Sequence, residues 1–311
     1  MPETMTIRIQ PGLTLFVATR RDQVPSTCSR YVSVDGSVPG AAVTWDHHVT
    51  GELVNLDAMP AEIDASAFDG IGTTMADTDA IVSATAVLVG GAAHVHPQTM
   101  AVLLSASHWC DHLGPHPAQT DAANAAGRGL HGHVLAGLAH QERSVPQTAF
   151  ASLALDLASA VATGSPLPYD TTILDQAEHT AMLLDGDGRI TRRGLVGVVD
   201  LRGTRHASPS ALYARFDCPI GLFIEDHPAG GLRYTVGLHP ARRGGPSSVR
   251  PVLDALARAE FAHGWPALGA EARPGMENWG GRQTVGGSPW NYGSRLSPDE
   301  VVAIIEQVVA R

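Results

Sequence analysis

Three clusters of aspartate and histidine follow or end apolar segments between residues 46 and 112 of the 311-residue sequence. They are Asp46-His47-His48, the pair Asp77 and Asp79, and the group His108, Asp111 and His112. Carboxylate and imidazole groups form a ligand set that suits Mn²⁺, Mg²⁺, Fe²⁺ or Zn²⁺. Two such ions held about 3.5–4 Å apart would make a two-metal hydrolytic site. A single aspartate or histidine at such a place usually caps a helix or meets solvent, but three clusters favour a shared site for one or two ions.

Strands and helices must bring these clusters together. Runs typical of strands cover 14–19, 31–36 and 41–46, and helical patterns cover 78–91, 97–112, 120–142, 145–164 and 170–184. Strand-like runs return at 193–203, 220–226 and 232–240, with helices at 248–264 and 298–311. This pattern predicts an α/β protein of two domains. We expect an N-terminal parallel-sheet, metal-binding catalytic domain over 1–165, a helical linker over 166–190, and a smaller mixed-sheet substrate-binding domain over 191–311.

The composition excludes several functions. The sequence has no lysine, and therefore neither a P-loop lysine nor a Schiff-base lysine. The net charge of -10 argues against a grip on duplex nucleic acid, and no apolar run reaches the ~18 residues that a transmembrane helix needs. The N-terminus lacks a signal-peptide pattern, and the three cysteines are too widely spaced for a disulfide framework. We expect a cytoplasmic protein with no membrane or duplex nucleic-acid partner, while a homodimer stays open.

Two segments resemble motifs of a known superfamily. The triplet Asp46-His47-His48 and the segment DTDAIVSA (77–84) resemble the DHH phosphoesterases, which include manganese-dependent family II inorganic pyrophosphatases, RecJ-type exonucleases and oligoribonuclease and cyclic-dinucleotide phosphodiesterases. The first motif of that superfamily has the form H-x-N-P-D-x-D-x-I-x-S-A, and here Thr73 and Ala76 stand where its histidine and proline would be. The segment LLSASHWCDHLGPHPAQTD (103–121) resembles the fourth motif, with Asp111 as the metal-binding aspartate.

The order of these motifs differs from that of the superfamily. There the D-x-D motif precedes DHH, whereas here it follows. Two explanations stay open. Either the order is rearranged and Asp77 and Asp79 take the first-motif role, or the true first motif has decayed to ATRRDQVPSTCS (18–29), which leaves Asp22 as its remnant.

The C-terminal half resembles the substrate-binding domain that often accompanies DHH domains. That domain ends in a loop of the form G-G-G-H-P-x-A-x-G-F-x-L, and residues 285–296, VGGSPWNYGSRL, share its layout with Ser288 in place of the histidine. Glycines in such a loop let backbone N–H groups approach a phosphate closely. The preceding run LRYTVGLHP ends with His239 where the superfamily has an arginine.

Together, the residue chemistry and the resemblance imply a metal-dependent hydrolase of a small phosphoester, nucleotide or phosphoanhydride. The expected metal ligands are Asp46, His47, Asp77, Asp79, Asp111, His108, His112 and Asp22. The expected catalytic residues are His47, His48 and Asp111, with His48 orienting the phosphate or protonating the leaving oxygen. The expected substrate-binding residues are Arg233, His239, Arg282, Gly286, Gly287, Ser288, Trp290, Asn291 and Arg295. His131 and His133 are interpreted as packing or solvent residues. Two alternatives stay open: a metal-containing binding or sensor module, and a metal-dependent enzyme with a non-phosphate substrate.

Overall fold

In the described part of the chain there are two β-sheets, one in each of two units, Met1–Ile173 and Leu174–Arg311. The computed structural model describes residues 13–139, 146–204, 209–240, 245–264, 278–281 and 283–310. Each unit has its own apolar core. The α/β fold class predicted from the sequence, with a parallel sheet first and a mixed sheet second, is confirmed.

The first unit is built on a four-stranded parallel sheet in the order β1-β4-β2-β3. The strands are β1 (Thr14–Val17), β2 (Tyr31–Val34), β3 (Val43–Trp45) and β4 (Gly70–Thr73). Because all four strands run the same way, their carboxyl ends meet at one edge of the sheet. Asp35 follows β2 at this edge, and Asp46 follows β3.

Strand β4 lies between β1 and β2 and contains two glycines for a steric reason. A Cβ atom on Gly72 would lie 2.7 Å from the ring of Phe16, and one on Gly70 would lie 3.0 Å from the same ring. Phe16 is fully buried, and its ring meets that of Tyr31 edge-on at 5.3 Å. A strand that must leave room for this ring lacks the β-branched pattern of other strands. The sequence periodicity therefore misses β4.

Among the described residues, five α-helices lie wholly within the first unit. They are α1 (His47–Thr50), α2 (Thr78–Leu88), α3 (Pro97–His112), α4 (Asp121–Ala139) and α5 (Pro146–Thr163). Every residue of α2 is buried, and its N-terminus is capped by Asp77, whose Oδ1 accepts a hydrogen bond from Ala80 N at 3.0 Å. Helix α4 packs closely on α3 at Gly127, where a Cβ atom would lie 2.4 Å from Ser105 Cβ. The first turn of α2 is therefore fixed inside the unit.

The second unit contains a six-stranded sheet in the order β5-β6-β7-β8-β10-β9, in which only β6 and β7 pair in parallel. Its strands are β5 (Ile190–Arg193), β6 (Val196–Asp200), β7 (Ile220–Asp226), β8 (Leu232–Leu238), β9 (Gly280–Gly281) and β10 (Val285–Gly287). The helices that follow α5 are α6 (Thr172–Gly186), α7 (Pro209–Tyr213), α8 (Arg250–Ala262) and α9 (Pro298–Val309). The apolar faces of α8 and α9 share one core with this sheet.

The segment predicted as a helical linker, 166–190, contains the division between the units. Most of it forms α6, which buries Leu174, Ala177, Ala181 and Leu184. These positions repeat at helical spacing, so α6 has an apolar face like any packed helix. None of the described helices combines the length and the apolarity required of a membrane-spanning segment.

Candidate metal centre

Asp35 is a site residue that the sequence analysis misses. It follows β2, is 5% exposed, and has a φ of +46°. Few residues other than glycine adopt this left-handed conformation, and such positions cluster at functional sites. An Asp-Gly pair after the strand-like run YVSV was a usable signal, but that pair is usually interpreted only as a turn.

Three aspartates surround one nitrogen of His47. His47 Nε2 lies 3.6 Å from Asp35 Oδ1, 3.6 Å from Asp79 Oδ2 and 3.2 Å from Asp111 Oδ2. Ligand atoms of Asp35, His47 and Asp79 all lie within 4.8 Å of one another. Asp35 follows β2, His47 begins α1, Asp79 belongs to the first turn of α2, and Asp111 belongs to the last turn of α3. We refer to Asp35, His47, Asp79 and Asp111 as the four-residue cluster.

The orientation of the His47 ring is set by a backbone contact. His47 Nδ1 lies 3.2 Å from Glu52 O, to which an Nδ1–H group donates. In the neutral ring this leaves the lone pair on Nε2, which is the form that binds metals. A lone pair that faces three carboxylate oxygens requires positive charge between them. Either a divalent ion or a proton on Nε2 supplies that charge.

The pKa values of the cluster also indicate that it needs positive charge, from protons or from a metal ion. Burial, and then the charges of Asp77, Asp79 and Asp111, raise the pKa of Asp35 to about 10. Burial raises the pKa of Asp79 well above its ordinary value, and Asp111 adds to the effect. Burial alone would lower the pKa of His47, but the hydrogen bond with Asp111 and the charges of Asp79 and Asp111 outweigh it and raise the pKa to about 9. The cluster therefore retains protons where it holds no other cation.

The donor set fits a divalent ion. Asp79 Oδ2 accepts a hydrogen bond from Asn55 N at 2.9 Å, whereas its Oδ1 is buried with no hydrogen-bond partner in the described part of the chain. A buried polar atom without a partner is costly, and coordination of a cation removes that cost. Carboxylate oxygens with one imidazole suit Mn²⁺, Mg²⁺, Fe²⁺ or Zn²⁺.

Asn55 connects the elements that carry His47 and Asp79. It is fully buried. Its Oδ1 accepts a hydrogen bond from His47 N at 3.1 Å, and its Nδ2 donates to Ser83 Oγ at 3.0 Å. Its own backbone N–H is the donor to Asp79 Oδ2. The sequence gives no signal for this role, because an asparagine in a loop is usually a turn residue.

Of the other predicted ligands of the first half, Asp77 lies close enough to Asp35 to share a hydrogen bond with it. Asp77 caps α2 through Oδ1, and its charge acts on Asp35. Asp46 is buried, and its backbone O accepts a hydrogen bond from Val49 N at 3.0 Å. Asp22 is exposed and pairs with Arg20 at 3.0 Å, so it is not part of the buried cluster. The His48 side chain lies outside the described residues.

His108 and His112, also predicted as ligands, pack with His116 at the end of α3. The ring centroids of His108 and His112 are 4.4 Å apart, and those of His108 and His116 are 4.9 Å apart. His108 Nδ1 lies 2.9 Å from Gly114 O, and His112 Nε2 lies 2.7 Å from Leu53 O. Within the described ranges, neither belongs to the compact ligand group around His47.

In the second unit, the predicted Gly-rich loop (285–296) begins as a strand. Gly286 and Gly287 belong to β10, where Cβ atoms would lie 2.4 Å from Leu253 Cδ1 and 2.5 Å from Tyr234 O, respectively. Ser288 is buried, its N–H donates to Tyr234 O at 2.9 Å, and its Oγ accepts from Tyr234 N at 2.9 Å. Sheet packing therefore explains these small residues without a bound phosphate.

The tip of this loop presents an aromatic ring on a fixed backbone. Ala229 N donates to His227 Nδ1 at 3.0 Å, so Nδ1 is the acceptor and Nε2–H donates to Trp290 O at 3.0 Å. The indole of Trp290 is 65% exposed, and Arg233 Cζ lies 5.7 Å from its ring centroid. Trp290 and Arg233 therefore offer an aromatic face beside a guanidinium group.

The end of the loop is held by a buried carboxylate. Glu260 on α8 is 2% exposed. It accepts hydrogen bonds from Trp279 Nε1 at 3.0 Å, Ser294 Oγ at 2.6 Å and Arg295 N at 2.6 Å. Arg295 Nη1 donates a hydrogen bond of 2.9 Å to Gly264 O, just after the end of α8. The side chain of this predicted substrate ligand therefore connects its loop to α8.

Three further predicted substrate ligands complete the set. His239 packs edge-on against the rings of Tyr213 and Phe216, and its Nε2 lies 3.0 Å from Tyr213 O. Asn291 is exposed near Trp290 in the sequence. Arg282 lies outside the described residues.

Comparison with known proteins gives likeness in structure but not in sequence. No protein-family model matches the chain, and no curated protein matches its sequence. Among solved structures, the chain is similar to PggH, a pGpG-specific phosphodiesterase from Vibrio cholerae. The alignment covers 90% of this chain and 99% of that chain, with 12% sequence identity and a TM-score of 0.43. A likeness of this extent does not carry an activity across, so the function of this chain has to be argued from its own residues.

Proposed function

We propose that the chain is a divalent-metal-dependent hydrolase of a small phosphoester, nucleotide or phosphoanhydride. The observation that carries the proposal is the convergence of three aspartates on His47 Nε2. This convergence occurs at the carboxyl edge of a parallel sheet, where α/β folds bind their ligands. The resemblance of Asp46-His47-His48 and of 77–84 to DHH phosphoesterase motifs supports the same reaction class.

The four-residue cluster would hold the ion. When bound, a divalent ion lowers the pKa of water and neutralises charge on a phosphoryl group. Mn²⁺ is our first candidate, with Mg²⁺, Fe²⁺ and Zn²⁺ as alternatives for the same donor set. Asp77, whose side chain caps α2 and whose charge acts on Asp35, would be shared with a second ion.

On this proposal, the first turn of α2 takes the first-motif role of the superfamily. Asp79 faces His47 at 3.6 Å, whereas Asp22 is exposed and paired with Arg20. Rearranged motif order therefore has more support than decay of the segment 18–29. In a sheet, the order in which strands occur along the chain does not limit which carboxyl ends meet at one edge.

Other residues of the first unit would orient the metal ligands and act on the substrate. Glu52 O and Asn55 orient His47 and Asp79, which keeps both groups directed at one point. Asp111 is the most exposed cluster member, at 18%, so substrate approaches from its side. We assign His48, the next residue after His47, to orient the phosphate or protonate the leaving oxygen.

A nucleotide is the substrate class that the second unit favours. The exposed Trp290 ring offers a stacking surface, and base–aromatic stacking is worth about 1–3 kcal/mol per base. Arg233, 5.7 Å from that ring, supplies positive charge for a phosphate. The acidic chain, with a net charge of -10, favours a small ligand over a nucleic-acid polymer.

Metal titration and a hydrolysis screen test the proposal. Mn²⁺ should bind to the wild-type protein with one or two equivalents, and the loaded protein should hydrolyse at least one of a phosphodiester, a dinucleotide, a mononucleotide or pyrophosphate. Asp35→Asn should remove both properties, because it deletes a buried carboxylate of the cluster. Asp22→Asn, the matched exposed control, should change neither. Metal binding that survives Asp35→Asn and is lost in Asp22→Asn would reverse the assignment.

A second candidate is a metal-containing nucleotide-binding module without turnover. The observation that favours it is Ser288, which replaces the loop histidine of the superfamily and has its hydroxyl engaged with the β8 backbone. That position therefore offers no side chain to a substrate. Binding of Mn²⁺ and of mononucleotides without hydrolysis in the same screen would select this candidate.

A further inference from the structure

His131 on α4 is a buried histidine outside the four-residue cluster. It is 7% exposed, and its Nδ1 lies 2.8 Å from Thr78 Oγ1. Burial lowers the pKa of His131 to about 4, so the ring is neutral near neutral pH and shares one hydrogen bond with the threonine hydroxyl. A buried polar ring is costly unless it makes such a bond. Packing alone would be served better by an apolar residue.

The partner of His131 lies within the metal-binding turn. Thr78 is fully buried and begins α2, between Asp77, which caps that helix, and Asp79 of the cluster. The bond to His131 therefore ties the first turn of α2 to α4. From another direction, Asn55 contacts the same helix through Asp79 Oδ2 and Ser83 Oγ. The turn that presents Asp79 is held by contacts from two elements.

We propose that His131 is a positioning residue for the metal centre, which acts through Thr78 to keep Asp79 aligned with His47. This inference rests on the proposed metal-dependent function. The physical reason is that a ligand carboxylate free to shift by a fraction of an ångström must be ordered again each time an ion binds. Loss of an interaction that orients a ligand typically weakens metal binding about 10–100-fold.

Titration with Mn²⁺ alone tests the inference without reference to activity. Thr78→Val keeps the shape of the side chain and removes the hydroxyl, and His131→Phe keeps a ring and removes both nitrogens. Each should weaken Mn²⁺ binding about tenfold or more at unchanged stoichiometry. Both variants break the same hydrogen bond, so the double variant should bind Mn²⁺ no more weakly than the weaker-binding single variant. Thr78→Ser, which keeps the hydroxyl, and His133→Phe, on the same helix, should bind Mn²⁺ like the wild-type protein.

The outcomes separate this inference from the proposed function. Failure of the wild-type protein to bind Mn²⁺ overturns the metal centre and the inference together. If folded Thr78→Val binds Mn²⁺ with wild-type affinity, the role of His131 is overturned while the metal centre stands. Should circular dichroism show that His131→Phe is unfolded, the result for Thr78→Val is the one that counts. If His131→Phe binds one Mn²⁺ ion fewer and keeps full affinity for any remaining ion, the inference is also overturned, because His131 would then be a metal ligand itself.

Discussion

At the scale of single residues, the cluster places three carboxyl groups around one imidazole inside the protein. Like charges in a buried site disfavour ionisation and destabilise the metal-free state. This arrangement is understandable as a cation site, since a bound ion removes the repulsion. Groups arranged for function in this way are commonly replaceable with a gain in stability and a loss of activity.

Asp79→Asn is therefore expected to stabilise the metal-free protein while it abolishes metal binding. The substitution keeps the shape of the side chain and removes a carboxyl group that must be held protonated in the metal-free protein, because burial and repulsion by Asp111 oppose its ionisation. A gain of roughly 1 kcal/mol, or about 2–4 °C in unfolding temperature, is expected. Thermal unfolding in EDTA and Mn²⁺ titration measure the two effects. A variant that is less stable than the wild-type protein without metal would contradict the repulsion argument.

Protons and metal should compete for the cluster. The pKa of His47 is raised from 6.5 to about 9, and that of Asp35 from 3.8 to about 10. Both groups hold protons more tightly when folded, so their contribution to metal-free stability is complete at low pH. It is lost progressively as the pH rises from 6.5 to about 9 for His47 and from 3.8 to about 10 for Asp35. Metal binding near pH 7 should release about one to two protons, and the affinity should increase with pH. Calorimetric titration in buffers of different ionisation enthalpy counts those protons, and a count of zero would contradict the assignment.

The residues of the centre were only partly predictable. His47, Asp79 and Asp111 were predictable as candidates, because acidic residues and histidines at the ends of apolar elements are a visible pattern. Asp35 was missed because an Asp-Gly pair after a strand indicates a turn. In this protein the residue with the left-handed turn conformation is also a member of the four-residue cluster. Asn55 and His131 could not be assigned, since their roles depend on contacts with residues distant in sequence.

At the scale of elements, most helices were predictable and β4 was not. Helix α3 matches its predicted range, 97–112, because its apolar pattern is long and its start has proline. Strand β4 was missed because Gly70 and Gly72 are selected by the ring of Phe16 on a neighbouring strand. The periodicity of a segment shows which of its own side chains face the core. It does not show where a side chain from another strand requires a glycine.

Glu260 should prove to be the anchor of the C-terminal segment. Glu260→Gln replaces one of two acceptor oxygens by an NH₂ group that faces other donors. Loss of hydrogen bonds to a charged group typically costs about 1.5–3 kcal/mol. Denaturant unfolding should show that loss, and hydrogen exchange should increase at residues 293–296. The matched control is Glu225→Gln on β7, whose contact with Arg233 is longer and exposed, and it should change stability by less than about 0.5 kcal/mol. Equal effects in the two variants would refute the anchor.

At the scale of the whole molecule, two cores predict two responses to metal. The cluster belongs entirely to the first unit, so Mn²⁺ should raise only the unfolding transition of that unit in scanning calorimetry. An ion at 100 times its dissociation constant stabilises the state that binds it by about 2.7 kcal/mol. Asp35→Asn should remove the shift, and Asp22→Asn should keep it. Equal shifts of both transitions would show that metal stabilises the second unit as well.

The position of β4 has a consequence for biosynthesis. Among the described strands, β1 pairs only with β4, so during synthesis β1 has no partner until residues 70–73 follow it. At about 5–20 residues per second, β1 waits for several seconds with Phe16, a core residue, still exposed to solvent. A chaperone that binds apolar nascent segments would meet this strand before its partner does. Since Asp111 emerges later still, the four-residue cluster is completed only after the sheet.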